Sequence, residues 1–296
     1  MIIPNYLKKG DEIIIIATAR KISEVEIKEA INIIQKNGFK VLLGPHIYEI
    51  ENQFAGKDEF RIHDLQWALN HSTAKAIFIA RGGYGTVRLI EHVNFIEFKK
   101  KPKWLVGYSD ITVLHNAIHA SGISTLHATM PLNFTKNEEA TNMLFDFLIG
   151  QTKSISIESH TLNKNGISNA TIVGGNLSLL YSLSGTPFDL DTKNKILFIE
   201  DLDEYLYHID RMMMQLKLSG KLKNLAGLIV GGMTDMRDNQ IPFGKIAEEI
   251  IIEAVKEYDY PVCLNFPAGH LDKNLPIIFG KKASLVVNSN QTTLNY

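Results

Sequence analysis

A serine, a histidine and a carboxylate that meet can cleave an acyl bond, and three loops of this chain offer one each. Ser109 stands in Gly107-Tyr108-Ser109-Asp110-Ile111, directly after the apolar run Trp104-Leu105-Val106. From Asp110 the pattern turns helical, with Ile111, Leu114, His115 and Ile118 at i, i+3, i+4 and i+7. A serine on a sharp strand-to-helix turn has its hydroxyl lifted clear of the sheet. The helix N-terminus beside it favours developing negative charge. Ile111 occupies the place of the second glycine in a G-x-S-x-G elbow, and a serine here also serves as an ordinary helix cap. On this stretch alone both readings stand.

The other two groups are equally double-edged. Glu200 opens the run Glu200-Asp201-Leu202-Asp203-Glu204, between a strand and a helix. Acidic residues stabilise a helix N-terminus, and Asp203 is a candidate cap. The run lacks the alternation and the glycine of a calcium loop. Glu200, at the strand end, is the carboxylate best placed to orient a histidine. His270 ends Pro267-Ala268-Gly269-His270, a fixed loop whose histidine is either solvated or a general base. Upstream, Arg81-Gly82-Gly83-Tyr84-Gly85 follows a strand. It is a tight turn or a loop whose backbone N–H groups bind an anion. Arg88 stands where the third glycine of G-x-G-x-x-G belongs, so an oxyanion loop fits better than a nucleotide site.

Other motifs exclude chemistry. His115 and His119 have the spacing of H-E-x-x-H, but Asn116-Ala117-Ile118 lies between them and the glutamate base is missing. His115 lies on the apolar face of its helix, so it reads as core and no metal is expected. Met212-Met213-Met214 reads as helix core and surface. Lys+Arg 31 against Asp+Glu 32 gives a net charge of -1, with no basic patch for nucleic acid. Cys263 is alone, so no intrachain disulfide forms. The N-terminus has no signal-peptide pattern, and the run Ile13 to Ala17 is far too short to span a membrane. A soluble cytoplasmic protein is the expectation.

The elements that position these loops alternate. Strands are predicted at 11–18, 39–43, 74–80, 104–107 and 123–126. Ile13-Ile14-Ile15-Ile16 has the continuous β-branched character of a strand buried on both faces. Ser23 and Glu26 form a capping box for a helix that Gly38 closes, and further helices fall at 57–70 and 138–149. This alternation specifies a parallel sheet with helices on both faces, whose ligands sit at the carboxyl ends of the strands. The Gly82-Gly83 loop and Ser109 both lie at such ends. Residues 1–150 form the first domain. The polar stretch 151–169 reads as a linker, with one short strand at 155–157. Residues 170–296 form a second domain, with strands at 170–173, 195–199, 225–230, 262–264, 277–278 and 283–287 and helices at 177–183, from 204, and at 246–255.

The order Ser109, Glu200, His270 with a glycine loop upstream resembles the LD-carboxypeptidases, serine peptidases of family S66, also called muramoyltetrapeptide carboxypeptidases. The matching pieces are 80–85, 107–112, Gly174-Gly175-Asn176-Leu177, 197–201 with 209–212, and 267–270. They share one order over nearly the whole chain. The resemblance implies a flavodoxin-like N-terminal domain, a smaller α/β C-terminal domain, an active site in the interdomain cleft, and a homodimer. It implies removal of the terminal D-alanine from peptidoglycan tetrapeptides or muropeptides in cytoplasmic recycling, without cofactor or metal. Ser109 would be nucleophile, His270 base and Glu200 its orienter, with the backbone N–H groups of Gly83 and Asp110 as oxyanion hole. Arg81 is a candidate clamp for the substrate carboxylate, and Tyr84 and Asn176 are candidates to line the cleft. Two rivals are a microcin-immunity-like peptidase of the same family, which cleaves peptidyl or aminoacyl nucleotides, and a non-catalytic two-domain binder of small ligands. The tryptophans, Trp67 and Trp104, both fall in predicted regular elements, which disfavours a base-stacking site.

Overall fold

A computed structural model describes residues 1–152 and 154–296. Lys153, in the stretch read as a linker, lies outside the described residues. In chain order the elements are β1 (Glu12–Ile16), α1 (Glu24–Lys36), β2 (Lys40–Leu43), α2 (Asp58–Asn70), β3 (Ala76–Ile79), α3 (Ile96–Lys100), β4 (Trp104–Gly107), α4 (Thr112–Ala120), β5 (Thr125–His127) and α5 (Glu138–Leu148). There follow β6 (Ile155–Glu158), β7 (Gly166–Asn176), α6 (Leu177–Ser182), β8 (Ile196–Leu202), α7 (Leu206–Leu218), β9 (Gly227–Thr234), α8 (Ala247–Val255), β10 (Val262–Cys263), β11 (Ile277–Phe279), β12 (Lys282–Val287) and β13 (Gln291–Asn295).

The chain divides into two compact units, one of Met1–Thr152 with Asp272–Gly280 and one of Lys153–Leu271 with Lys281–Tyr296. In the first, β2, β1, β3, β4 and β5 lie side by side in that order and all parallel. This is the flavodoxin-like order, whose switch point falls between β1 and β3. Ile13 to Ile16 are fully buried, as the β-branched run requires. Ser23 and Glu26 close the capping box, and Gly38, just past the C-cap Asn37, has φ 90°.

The second unit is built on a sheet in the order β10-β9-β8-β7-β12-β13-β6. The first four strands are parallel, and β12, β13 and β6 are antiparallel additions. One face of the parallel part carries a core of Val173, Leu197, Ile199, Ile209, Met212, Ile250 and their neighbours.

Three features depart from the sequence reading. Residues 151–169 are largely not a linker: β6 pairs with β13, and the first residues of β7 pair with β12. Their polar composition is that of strands with one exposed face, which the pattern buried-exposed-intermediate-exposed in β6 reflects. The strand at 277–279 is not with the rest of 170–296: it pairs antiparallel with β5 in the first unit's sheet. Its side chains are apolar on both faces, and only strand pairing, not composition, decides which sheet it joins. Finally, β8 runs on to Leu202, so Glu200 sits inside a strand rather than at its end.

Candidate active site

Ser109 follows β4 and starts a single 3-10 turn, Ser109–Ile111, that leads into α4. Its φ is +65°, the left-handed region. A non-glycine residue there costs about 1–2 kcal/mol and persists only where the surroundings impose it. Here two buried anchors hold the turn. His115, on α4, donates from Nε2 to the Gly107 carbonyl at 2.9 Å, and its Nδ1 lies 2.8 Å from the Thr125 hydroxyl. Burial pulls the His115 pKa down to about 4, against the opposing hydrogen bond to Gly107, so the ring is neutral. Asp110 is also buried, and its Oδ2 accepts the Thr86 N–H at 2.9 Å. Burial raises the Asp110 pKa, opposed by its hydrogen bonds with Thr86. Asp110 thus ties the serine turn to the end of the glycine loop.

That loop reaches Ser109 directly. A Cβ built on Gly82 would lie 3.1 Å from the Ser109 Cβ and 3.2 Å from its Oγ. Gly83 has φ +128°, and a Cβ there would stand 2.5 Å from the side chain of Arg20. Arg20 therefore lies over the glycine loop. Nothing in the sequence pattern marks it. Arg81, the clamp candidate, is directed elsewhere: its Nη1 donates to the Lys21 carbonyl at 3.3 Å and lies 3.6 Å from Glu26 Oε1. Tyr84 is half exposed and tilts against Phe54 at 6.3 Å.

In the second unit, His270 Nδ1 lies 2.7 Å from Glu200 Oε2, and the same oxygen accepts the His270 backbone N–H at 3.1 Å. Glu200 is completely buried. The strand pairing explains how a carboxylate is presented there. Ile199 pairs with Val230 and Asp201 with Met233, so Glu200 stands opposite two residues, Gly231 and Gly232, at a β-bulge. Bulges re-aim side chains in this way. Gly269, with φ +104°, lets the loop pass over the carboxylate; a Cβ there would be 2.6 Å from Glu200 Oε2. Thr234 donates its hydroxyl to the His270 carbonyl at 2.8 Å.

Burial pulls the His270 pKa down. The charge and hydrogen bond of Glu200, with the charge of Asp201, outweigh it and hold the imidazole above its ordinary 6.5. Burial, and then the Glu200 charge, push Asp201 up to about 7. Asp201 accepts from Asn176 Nδ2 at 2.9 Å and from the Ser178 N–H at 2.8 Å. Asn176 in turn caps α6, accepting from Leu179 N–H. Its amide is thus committed at least in part to holding α6 and Asp201. Asp203 caps no helix; it pairs with Arg237, and α7 starts after Tyr205.

Residues 13–128 match the model of the LD-carboxypeptidase N-terminal domain, and residues 169–285 that of the LD-carboxypeptidase C-terminal domain, both of Peptidase S66. The chain belongs to the LD-carboxypeptidase family. It is a carboxypeptidase of the serine class. A relative from Bacillus subtilis (strain 168), named "Probable murein peptide carboxypeptidase", is 34% identical over 95% of this chain and 91% of its own length. The murein tetrapeptide carboxypeptidase of Pseudomonas aeruginosa PAO1 is 26% identical over 93% of this chain and 92% of its own length. The crystal structure of muramoyltetrapeptide carboxypeptidase from Oxalobacter formigenes superposes with a TM-score of 0.86 at 26% identity, covering 96% of this chain and 97% of that chain. The microcin C7 self-immunity protein MccF shares the fold, with a TM-score of 0.88 at 18% identity over 100% of this chain and 99% of that one.

Proposed function

We propose that this carboxypeptidase removes the terminal D-alanine from murein tetrapeptides, in cytoplasmic cell-wall recycling, through an acyl-enzyme on Ser109. The observation that carries the reading is the His270–Glu200 bond of 2.7 Å on a fully buried carboxylate. With Nδ1 held by Glu200, Nε2 is the nitrogen that acts as base. Ser109 Oγ attacks the carbonyl carbon of the penultimate residue while its proton passes to His270 Nε2. The N–H groups of Gly83 and Asp110 stabilise the oxyanion. Removing one such donor typically costs roughly a hundred- to a thousand-fold in kcat. The C–N bond then breaks, His270 returns the proton to the D-alanine amine, and water hydrolyses the ester. Arg20, lying over Gly83, takes the free carboxylate that marks an exopeptidase substrate. The functional molecule is a homodimer, which light scattering on the purified protein tests.

The substrate is supported by the names of the Bacillus subtilis and Pseudomonas aeruginosa relatives. The test is mass spectrometry of tetrapeptides that differ in chirality at the last two positions, with wild type and Ser109→Ala. Release of D-alanine only from an L–D bond, and only by wild type, is the expected result. Cleavage that persists in the variant refutes Ser109 as nucleophile. Aminoacyl nucleotides, tried in parallel, are expected to remain intact.

A further inference from the structure

His46, His63 and Asp64 have no part in the peptidase chemistry, yet they converge. His46 lies in the loop after β2, and His63 and Asp64 are neighbours on α2. Asp64 Oδ1 is 2.7 Å from His46 Nδ1 and 3.3 Å from His63 Nδ1. One ligand atom from each of the three residues lies within 4.8 Å of the other two.

The carboxylate is built into the fold. Asp64 is 2% exposed, and its Oδ2 accepts the His46 backbone N–H at 2.9 Å. A Cβ on Gly44 would stand 2.5 Å from that Oδ2, so glycine supplies the space. The His46 ring lies flat on Phe60, with centroids 4.6 Å apart and planes within 2°. The His63 side chain is 58% exposed and gives the cluster an opening to solvent.

We propose that His46, His63 and Asp64 form a site for a divalent transition-metal ion of the zinc class. Two imidazole nitrogens with one carboxylate oxygen is a donor set for zinc or cobalt(II), whereas calcium and magnesium demand oxygens. Ligand bonds of about 2.0–2.1 Å in a tetrahedral site put donors roughly 3.4 Å apart. To reach that, His46 Nδ1 and Asp64 Oδ1 open from 2.7 Å as the ion enters between them, and the exposed His63 side chain turns toward them. The ion binds the Nδ1 lone pair of each imidazole in the tautomer that carries its single proton on Nε2, and solvent fills the fourth position. The His46 N–H bond to Oδ2 holds the carboxylate in the orientation that leaves Oδ1 for the ion.

The test is equilibrium dialysis of the full chain against zinc, with metal counted per chain, and titration with cobalt(II) followed by its visible absorption. Wild type is expected to hold one ion per chain and to show tetrahedral cobalt bands. His63→Ala, which changes an exposed side chain, is expected to weaken zinc binding at least tenfold and to abolish the bands. Peptidase activity should be unchanged in His63→Ala, which separates this site from the reading of Ser109. Absence of stoichiometric zinc in wild type, or zinc binding equal in wild type and His63→Ala, overturns the proposal.

Discussion

One oxygen, Glu200 Oε2, holds both the ring and the backbone of His270, at 2.7 Å and 3.1 Å. The same carboxylate holds the imidazole pKa above 6.5 against the opposing effect of burial. A general base must be neutral, so kcat/KM should rise with pH through an acid limb centred above the ordinary histidine value. Glu200→Gln keeps a hydrogen-bond acceptor and removes the charge. Its limb should move to lower pH while the rate falls. A variant limb at the wild-type position would show that another group sets it.

Ser109 and its left-handed backbone make separable contributions. Ser109→Ala should lose about a million-fold in kcat, the scale seen when a triad serine is removed. Ser109→Gly should be equally inactive but more stable than Ser109→Ala by about 1 kcal/mol, because glycine adopts positive φ without a Cβ clash. Urea unfolding of the two variants measures this. Equal midpoints would mean that the turn is not strained.

Arg20 and Arg81 flank the same loop but face different partners. Removing a hydrogen-bonded charge partner of a carboxylate costs roughly 1.5–3 kcal/mol, about ten- to a hundred-fold in affinity. Arg20→Ala is therefore expected to raise KM by that factor. Arg81→Ala, whose guanidinium is turned to Lys21 and Glu26, should change it much less. Steady-state kinetics on one tetrapeptide decides, and the reverse order would return the clamp to Arg81.

His115 predicts the acid sensitivity of the fold. Its native pKa is about 4 against 6.5 when exposed. Between those values the unfolded chain binds a proton that the native state does not, so stability is lost as pH falls through this window. The loss is up to about 1.4 kcal/mol per pH unit, roughly 3 kcal/mol in all. His115→Gln should flatten the dependence of unfolding free energy on pH over that range. A slope identical to wild type would assign the acid sensitivity elsewhere.

Most of the first sheet is legible in the sequence, because β1, β3 and β4 are continuous apolar runs and α1 opens on a capping box. The turn at Ser109 was legible as a strand-to-helix junction; its positive φ was not, since serine is no marker for that conformation. The acidic run from Glu200 to Glu204 has the composition of a helix start, which puts Glu200 at a strand end on sequence alone. The bulge opposite Gly231 and Gly232 lets the strand continue through a buried carboxylate, and a bulge depends on the partner strand. Arg20 and the cluster of His46 with His63 and Asp64 were missed for a related reason: each depends on packing between segments distant in sequence, which leaves no local pattern.

The crossing of β11 back to the first sheet has a consequence for how the chain is made. Ile277 to Phe279 form the outer strand against β5, yet they emerge from the ribosome some 150 residues later. Until then β5 is an open edge, able to pair with another nascent chain. The long interval between the two strands slows closure of the first sheet. A fragment ending at residue 150 would keep that edge open permanently, and nearly the whole chain must be synthesised before the serine-bearing sheet is sealed.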